Sequence, residues 1–334
     1  MLLCCLLLAC APSPGASPPA AAAEPSAAPL QLGELTDYVP AAGLRWLIAG
    51  SPRHFAVQPA LRGARERWLS EQRLQAFAGA TGIDLRRTER ALAAGFDLGT
   101  LYLVDSSGWV RPPEEPFEER LAGSAKLERP HPKLLRVSGL AGSVPEALLR
   151  IDDAAVAIAV GDPVLARIVE YRVRGRLERV VPALRGAALS RLPAELLSPG
   201  SLRLYALGPF SGEALPGDGR QRGLIAGAEA IAGAVELEGN VVKLRLAVAG
   251  AWDQAQDREH LLGVWNALAA SPLGHALALD QPSAAALVNA TELLLTLEVA
   301  LDAERLLTGL ETVAAGKLDQ LLQAGDRAAP PSAD

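Results

Sequence analysis

Ala234-Val235-Glu236-Leu237-Glu238-Gly239-Asn240-Val241-Val242-Lys243-Leu244-Arg245-Leu246-Ala247-Val248 alternates apolar and charged side chains on both sides of Gly239-Asn240. Successive side chains of a strand point to opposite faces, so a period of two marks a strand with one face packed and the other wet. Gly-Asn between two such runs signals a tight hairpin. Glu236, Glu238, Lys243 and Arg245 then share a solvated face, while Val235, Leu237, Val242, Leu244 and Leu246 pack against helices. The fold is read from here as α+β: antiparallel or mixed sheets packed by amphipathic helices.

Downstream of the hairpin, Asp257 to Leu268 reads as a helix burying Leu261, Leu262, Trp265 and Leu268. A strand at Leu293–Leu301 and a helix over Asp302–Leu322 follow. Upstream, Leu44–Ala49 reads as a strand closed by Gly50-Ser51-Pro52. Leu61, Trp68, Leu69, Leu74 and Phe77 recur at helical spacing, which predicts one amphipathic helix over Ala56–Gly79, bent near Gly63. Asp84 is placed to cap a shorter helix through Ala94, and Leu98–Val104 resumes as a strand. Ser106–Pro132, with its Pro112-Pro113-Glu114-Glu115-Pro116 run, reads as a long surface excursion or lid. Then come a strand at Lys133–Gly139, a short helix at Pro145–Arg150 and a buried strand at Ala154–Val160. Asp162-Pro163 opens a helix with Leu165, Ile168, Val169 and Val173 on one face.

Leu44-Arg45-Trp46-Leu47-Ile48-Ala49-Gly50-Ser51-Pro52 and Leu202-Arg203-Leu204-Tyr205-Ala206-Leu207-Gly208-Pro209 look alike. Each is an apolar strand with Arg second and a Gly/Pro stop, and they lie about half the body apart. Two similar α+β halves, residues 31–197 and 198–325, are the architectural expectation, with coincidence as the competing account. Residues 326–334 read as a disordered tail.

Charge is spread thinly: 38 acidic against 32 basic residues gives a net of −6, which offers no footprint for nucleic acid. All three Cys lie at positions 4, 5 and 10, so the body has none. That excludes a disulfide framework, a Cys-ligated zinc site, an iron-sulfur cluster and a thiol nucleophile within it. No Gly-x-Ser-x-Gly elbow, Ser-x-x-Lys or phosphate-loop signature is present, and no cofactor is expected.

The chain starts with an uncharged apolar run ending in Leu7-Leu8-Ala9-Cys10. This ending resembles the lipobox of bacterial prolipoproteins, although no Lys or Arg precedes the apolar stretch as in a typical secretory signal. The resemblance implies a signal peptide over residues 1–9, cleavage after Ala9 and acylation of Cys10. The acylated Cys and an Ala/Pro-rich linker then fill residues 10–30, too poor in large apolar side chains to offset the entropy of ordering. The implied address is the cell envelope, lipid-anchored, with the outer membrane of a Gram-negative bacterium expected because Ala11 replaces the Asp that signals inner-membrane retention in some of these lipoproteins. The body resembles Ala- and Arg-rich lipoproteins of such bacteria in composition only.

Chemistry in the body is thin. His260 lies beside Asp257 and Glu259, a weak signal because metal sites need three convergent ligands. Ser138-Gly139-Leu140-Ala141-Gly142-Ser143, read between a strand and a helix, offers backbone N–H groups to an anion but lacks a following Lys. Gly217–Gly223 reads as a loop, and the pairs Asp152-Asp153 and Glu114-Glu115 prove little without convergence. The Arg-rich stretch from Arg167 to Arg191 fits either a solvated face or contact with anionic lipid head groups or an acidic polymer of the envelope. Two functions stand ahead of an unrecognised enzyme: a non-enzymatic binding or scaffolding domain for an envelope protein partner, and a carrier or sensor of a lipid or other apolar ligand. An apolar cavity open at 106–132 favours the second, and a fully packed core counts against it.

Overall fold

The structure is a computed structural model that describes residues 28–63, 66, 70–177, 180–186, 189, 202–210, 219–252, 254–271, 274–275, 277, 279, 286–290 and 294–315. The strands are β1 (Leu44–Gly50), β2 (Ala91–Phe96), β3 (Thr100–Asp105), β4 (Lys126–His131), β5 (Leu134–Ala141), β6 (Val144–Ile151), β7 (Ala155–Val160), β8 (Leu202–Leu207), β9 (Ala230–Glu238), β10 (Val241–Ala249), β11 (Ala286–Ala290) and β12 (Leu294–Asp302). The α-helices are α1 (Pro52–Val57), α2 (Glu71–Thr81), α3 (Glu114–Arg120), α4 (Val164–Val173), α5 (Gly219–Ala226), α6 (Gln254–Ala269) and α7 (Ala303–Ala315).

All twelve strands join one sheet, in the order β11-β12-β10-β9-β8-β1-β2-β3-β7-β6-β5-β4. Every described pairing is antiparallel, so the expected alternatives of mixed or separate sheets resolve to a single antiparallel one. From its centre the order runs β1-β2-β3-β7-β6 one way and β8-β9-β10-β12-β11 the other, with β5-β4 extending the first arm. In each arm a helical segment precedes a hairpin (β2–β3, β9–β10), another helix follows it, and a helix closes the unit. Leu47 pairs with Tyr205, its counterpart in the two similar sequence stretches, so a local two-fold relation passes between them. Trp46 pairs with Gly95 and its counterpart Leu204 with Gly233. These features make the halves alike in topology.

The expected hairpin forms in the expected register, with Val241 opposite Glu238 and Lys243 opposite Glu236. Its charged face holds Lys243 2.6 Å from Glu238, and Arg245 3.2 Å from Glu298. Its other face packs Val235, Leu237, Val242, Leu244 and Leu246 into a cluster with Trp265 and Leu261 of α6 and Leu295, Leu297 and Val299 of β12. Towards Ala230 and Ala249 the charged face gives way to small residues, Ala230, Ala232, Ala234, Ala247 and Ala249, which enter the central core. That core also takes Leu47, Leu92, Leu101, Leu103 and Tyr205, and α4 covers it with Leu165, Ala166, Val169 and Val173. The opposite face of the first arm is covered by α3, whose Phe117 packs with Leu121 over Leu135, Val137, Leu148 and Val156.

Several elements differ from their sequence reading. The helix expected over 56–79 is split into α1 and α2: Pro59 opens a separate 3-10 turn, and Ser70 accepts a hydrogen bond from the Arg73 N–H, starting α2 afresh. Trp68 and Leu69 lie outside the described residues. Asp84 does not cap a helix through Ala94, because Ala91–Phe96 is the strand β2, whose small side chains fit between β1 and β3. Asp84 is instead buried, bonded to the Arg86 side chain at 2.7 Å. Residues 106–132 form no long excursion, since α3 and β4 order them, with Pro113 and Pro116 tolerated at the first helical turn where N–H groups have no partner. Pro145–Arg150 is strand β6, reached through a hairpin at Gly142, which takes φ +64°. Gly219–Ala226, part of the expected glycine loop, is helical.

Candidate functional site

An apolar cleft of about 450 Å³ lies on the sheet face opposite the central core. Its floor follows from pairing register. Leu204, Ile48, Ala93, Tyr102 and Ile158 stand side by side on β8, β1, β2, β3 and β7. The row continues through Leu148, Val137 and Leu127 on one flank, and through Gly233, Leu246 and Leu297 on the other. Helices cover both flanks, α3 over the first and α6 over the second, and among the described residues no helix packs equivalently over the middle strands. Trp46, Tyr102 and Leu204 therefore remain 38%, 42% and 37% exposed. Ala93 sits between the larger Ile48 and Tyr102, so the floor is hollow at that point.

Two helices wall the hollow. At the end of β1, Ser51 accepts a hydrogen bond from the His54 N–H at 3.2 Å and Pro52 occupies the first helical turn, which turns α1 back over the sheet with Phe55 towards the cleft. In α2, Leu74 and Ala78 are buried, whereas Phe77 and Thr81 line the cleft. The Thr81 hydroxyl donates to the Phe77 carbonyl at 2.7 Å, so its hydrogen is satisfied within the helix. Gly82 ends α2 in the left-handed conformation at φ +75° and leads into Ile83, another lining residue. Arg120, at the end of α3, completes the lining. Its Nη2 pairs with Glu146, and its guanidinium lies 4.9 Å from the Phe117 ring centroid.

A second cleft of about 900 Å³ shares Gly50, Ser51, Ala91 and Leu92 with the first but is lined by charge. There Arg90 lies 3.3 Å from both Glu34 and Asp105, and Arg53 pairs with Glu89. Volume alone would favour this larger cleft. Its ion pairs keep it hydrated, whereas the smaller cleft offers an apolar solute a dry floor.

The residues singled out from sequence are dispersed. Cys10 and most of the linker lie outside the described residues. Among the described residues no group of three His, Cys, Asp or Glu is placed to hold a metal, and no helix is long and apolar enough to cross a membrane. His260 lies on α6, partly buried, and the Asp257 side chain lies outside the described residues. Ser138–Ser143 joins two strands, so no helix N-terminus backs an anion there. Glu114 and Asp153 both bind Arg150, at 2.6 and 2.8 Å, and Asp152 binds Lys133 at 2.9 Å, so these acids serve ion pairs. In the Arg-rich stretch Arg167 and Arg176 are exposed, Arg174 is 3.0 Å from Glu170, and Arg191 lies outside the described residues. The lining residues Ile48, Ala93 and Tyr102 went unmarked in the sequence because each belongs to an ordinary apolar strand; only register brings them together.

No protein-family model and no curated protein matches this chain. It is similar to solved structures of a protein designated TP0453. Crystal form I of that protein gives a TM-score of 0.44 at 10% identity, over 85% of this chain and 98% of that one. Crystal form III gives 0.45 at 10% identity, over 84% and 99%.

Proposed function

We propose that this is a lipid-anchored envelope protein, held by acyl chains on Cys10, whose α+β domain binds an apolar ligand without catalysing a reaction. One observation carries the binding role: the apolar cleft that α1 and α2 wall on the middle strands of the sheet. Its volume of about 450 Å³ falls within the roughly 300–1,000 Å³ typical of small-molecule sites. Moving a methylene out of water gains about 0.8 kcal/mol, so a dozen gain roughly 10 kcal/mol before immobilisation is counted. Micromolar binding needs about 8 kcal/mol, so an acyl-chain-sized ligand is within reach. A docking site for an apolar segment of an envelope protein partner draws on the same row. The walls formed by Phe55 and Phe77 favour a small ligand, because they narrow the floor to a hollow.

The chain from Ala11, which lacks the acylated Cys10, exported through a cleavable signal and purified without detergent, should carry a lipid-sized adduct in native mass spectrometry. Ala93→Trp fills the hollow between Ile48 and Tyr102, and it should lower adduct occupancy at least tenfold while leaving the thermal midpoint within a few degrees. A clean mass for the unaltered chain, with no binding of added amphiphiles, would turn the assignment towards a protein partner.

A further inference from the structure

The apolar cleft proposed above as the binding site has a charged mouth, and the charge has one sign. Among its described lining residues Arg120 is the only ionisable cation, and no carboxylate lines the cleft. The other polar groups there are committed or neutral: Ser51 caps α1, Thr81 donates within α2, and Tyr102 belongs to the floor. Arg120 is 45% exposed and uses Nη2 for Glu146, a carboxylate 11% exposed at its side chain. Its Nε and Nη1 have no hydrogen-bond partner among the described residues. The guanidinium is therefore anchored at one corner by Glu146 and braced by the Phe117 ring, with two donor positions left at an apolar opening.

Resting on that reading of the cleft, we infer that the ligand is a single-chain amphiphile with an anionic head group, carboxylate or phosphate, whose chain lies over Ala93 and whose head meets Arg120. An anion is selected because a hydrogen bond from the guanidinium to an ionised acceptor is roughly twice as strong as one to a neutral acceptor, while a cation would face Arg120 at close range. One chain is selected because a cleft of about 450 Å³ stands near the small end of the usual range of about 300–1,000 Å³. Glu146 tempers the attraction, since it already neutralises part of the guanidinium charge, so the head-group contribution is modest.

Isothermal titration of the anchor-free chain from Ala11 with hexadecanoic acid, hexadecyl phosphate and hexadecan-1-ol tests this. The acid and the phosphate should bind about tenfold more tightly than the alcohol, the contribution of one half-exposed charge-assisted contact; whichever of the two binds better identifies the head group. Arg120→Gln should bring both anions down to the alcohol's affinity and leave the alcohol unchanged, and Arg120→Lys should retain most of the difference. Glu146→Gln, which removes the neighbouring negative charge, should tighten the acid severalfold and not the alcohol, a gain that a damaged fold would not produce. Equal binding of acid and alcohol, insensitive to Arg120→Gln, would overturn the head-group assignment and leave the apolar cleft standing. No binding of any of the three would remove both.

Discussion

Glu170 lies within the helix α4 and is nearly fully buried, yet Arg136 and Arg174 meet it from β5 and from its own helix. A carboxylate withdrawn from water needs such partners, since an uncompensated buried charge costs several kcal/mol. Arg136 also binds Glu128 on the edge strand, so one guanidinium ties β4 and β5 to α4. Lys126, and then Arg136, hold the Glu128 carboxyl down at about 2 from an ordinary 4.5. A depressed folded-state value stabilises the fold above the unfolded value and ceases to do so as pH falls through the folded one. The contribution of Glu128 should therefore be complete above pH 4.5 and fade towards pH 2. Urea unfolding of wild type and Glu128→Gln checks this: the variant should be less stable above pH 4.5, and the gap should close on acidification. A gap that stayed constant with pH would assign the effect to packing.

Among the elements, the β9–β10 hairpin was the most legible, because its alternation and its Gly-Asn turn point to the same structure. Gly239 takes φ +60° and Asn240 does not take a positive φ, the pattern of a type II′ turn with Gly first. Gly239→Val should destabilise by about 1–2 kcal/mol, since a β-branched residue there suffers the left-handed penalty; a shift in the urea midpoint without a change in slope would register it. Elsewhere local preference misleads. Glu146, Ala147, Leu148, Leu149 and Arg150 are good helix formers, but β5 and β7 hydrogen-bond on either side and hold the segment extended. Pro145 is accommodated there, opposite Leu140, with its carbonyl accepting from the Gly161 N–H at 2.9 Å. Ala91–Gly95 has the same ambiguity, which Gly95 helps to explain: a Cβ there would lie 2.2 Å from the Trp46 indole. That close approach belongs to the sheet and leaves no periodic trace.

For the whole molecule, the continuous sheet explains why both sequence halves contribute to one core. β1 and β8 pair at the centre, so Leu47 and Tyr205 are buried together and neither arm's central face closes without the other. On the reverse face α3 and α6 lie over the flanks, and between them is the cleft, walled by α1 and α2. An anchored binding domain makes a prediction at this scale. Cys10→Ala should move the protein from the membrane fraction to the soluble fraction, because two or three acyl chains hold a protein stably and none remain in the variant. Unchanged membrane retention on fractionation would remove the anchor from the proposal.

The α+β class of the chain and the faces of its clearest elements are legible in the sequence. Period-two alternation places Val235, Leu237, Val242 and Leu244 on one side of a hairpin. Such readings succeed because the cause is local: a strand's side-chain alternation and a turn's backbone need lie within a few residues. Long-range pairing sets the rest: twelve strands form one sheet, 145–150 joins it, and Ile48, Ala93, Tyr102 and Ile158 align into a floor of the cleft that Arg120 also lines. Those relations join residues up to 160 positions apart through register, and among the described residues the cleft lies between the helices that cover the flanks, an arrangement that no single segment of the chain encodes.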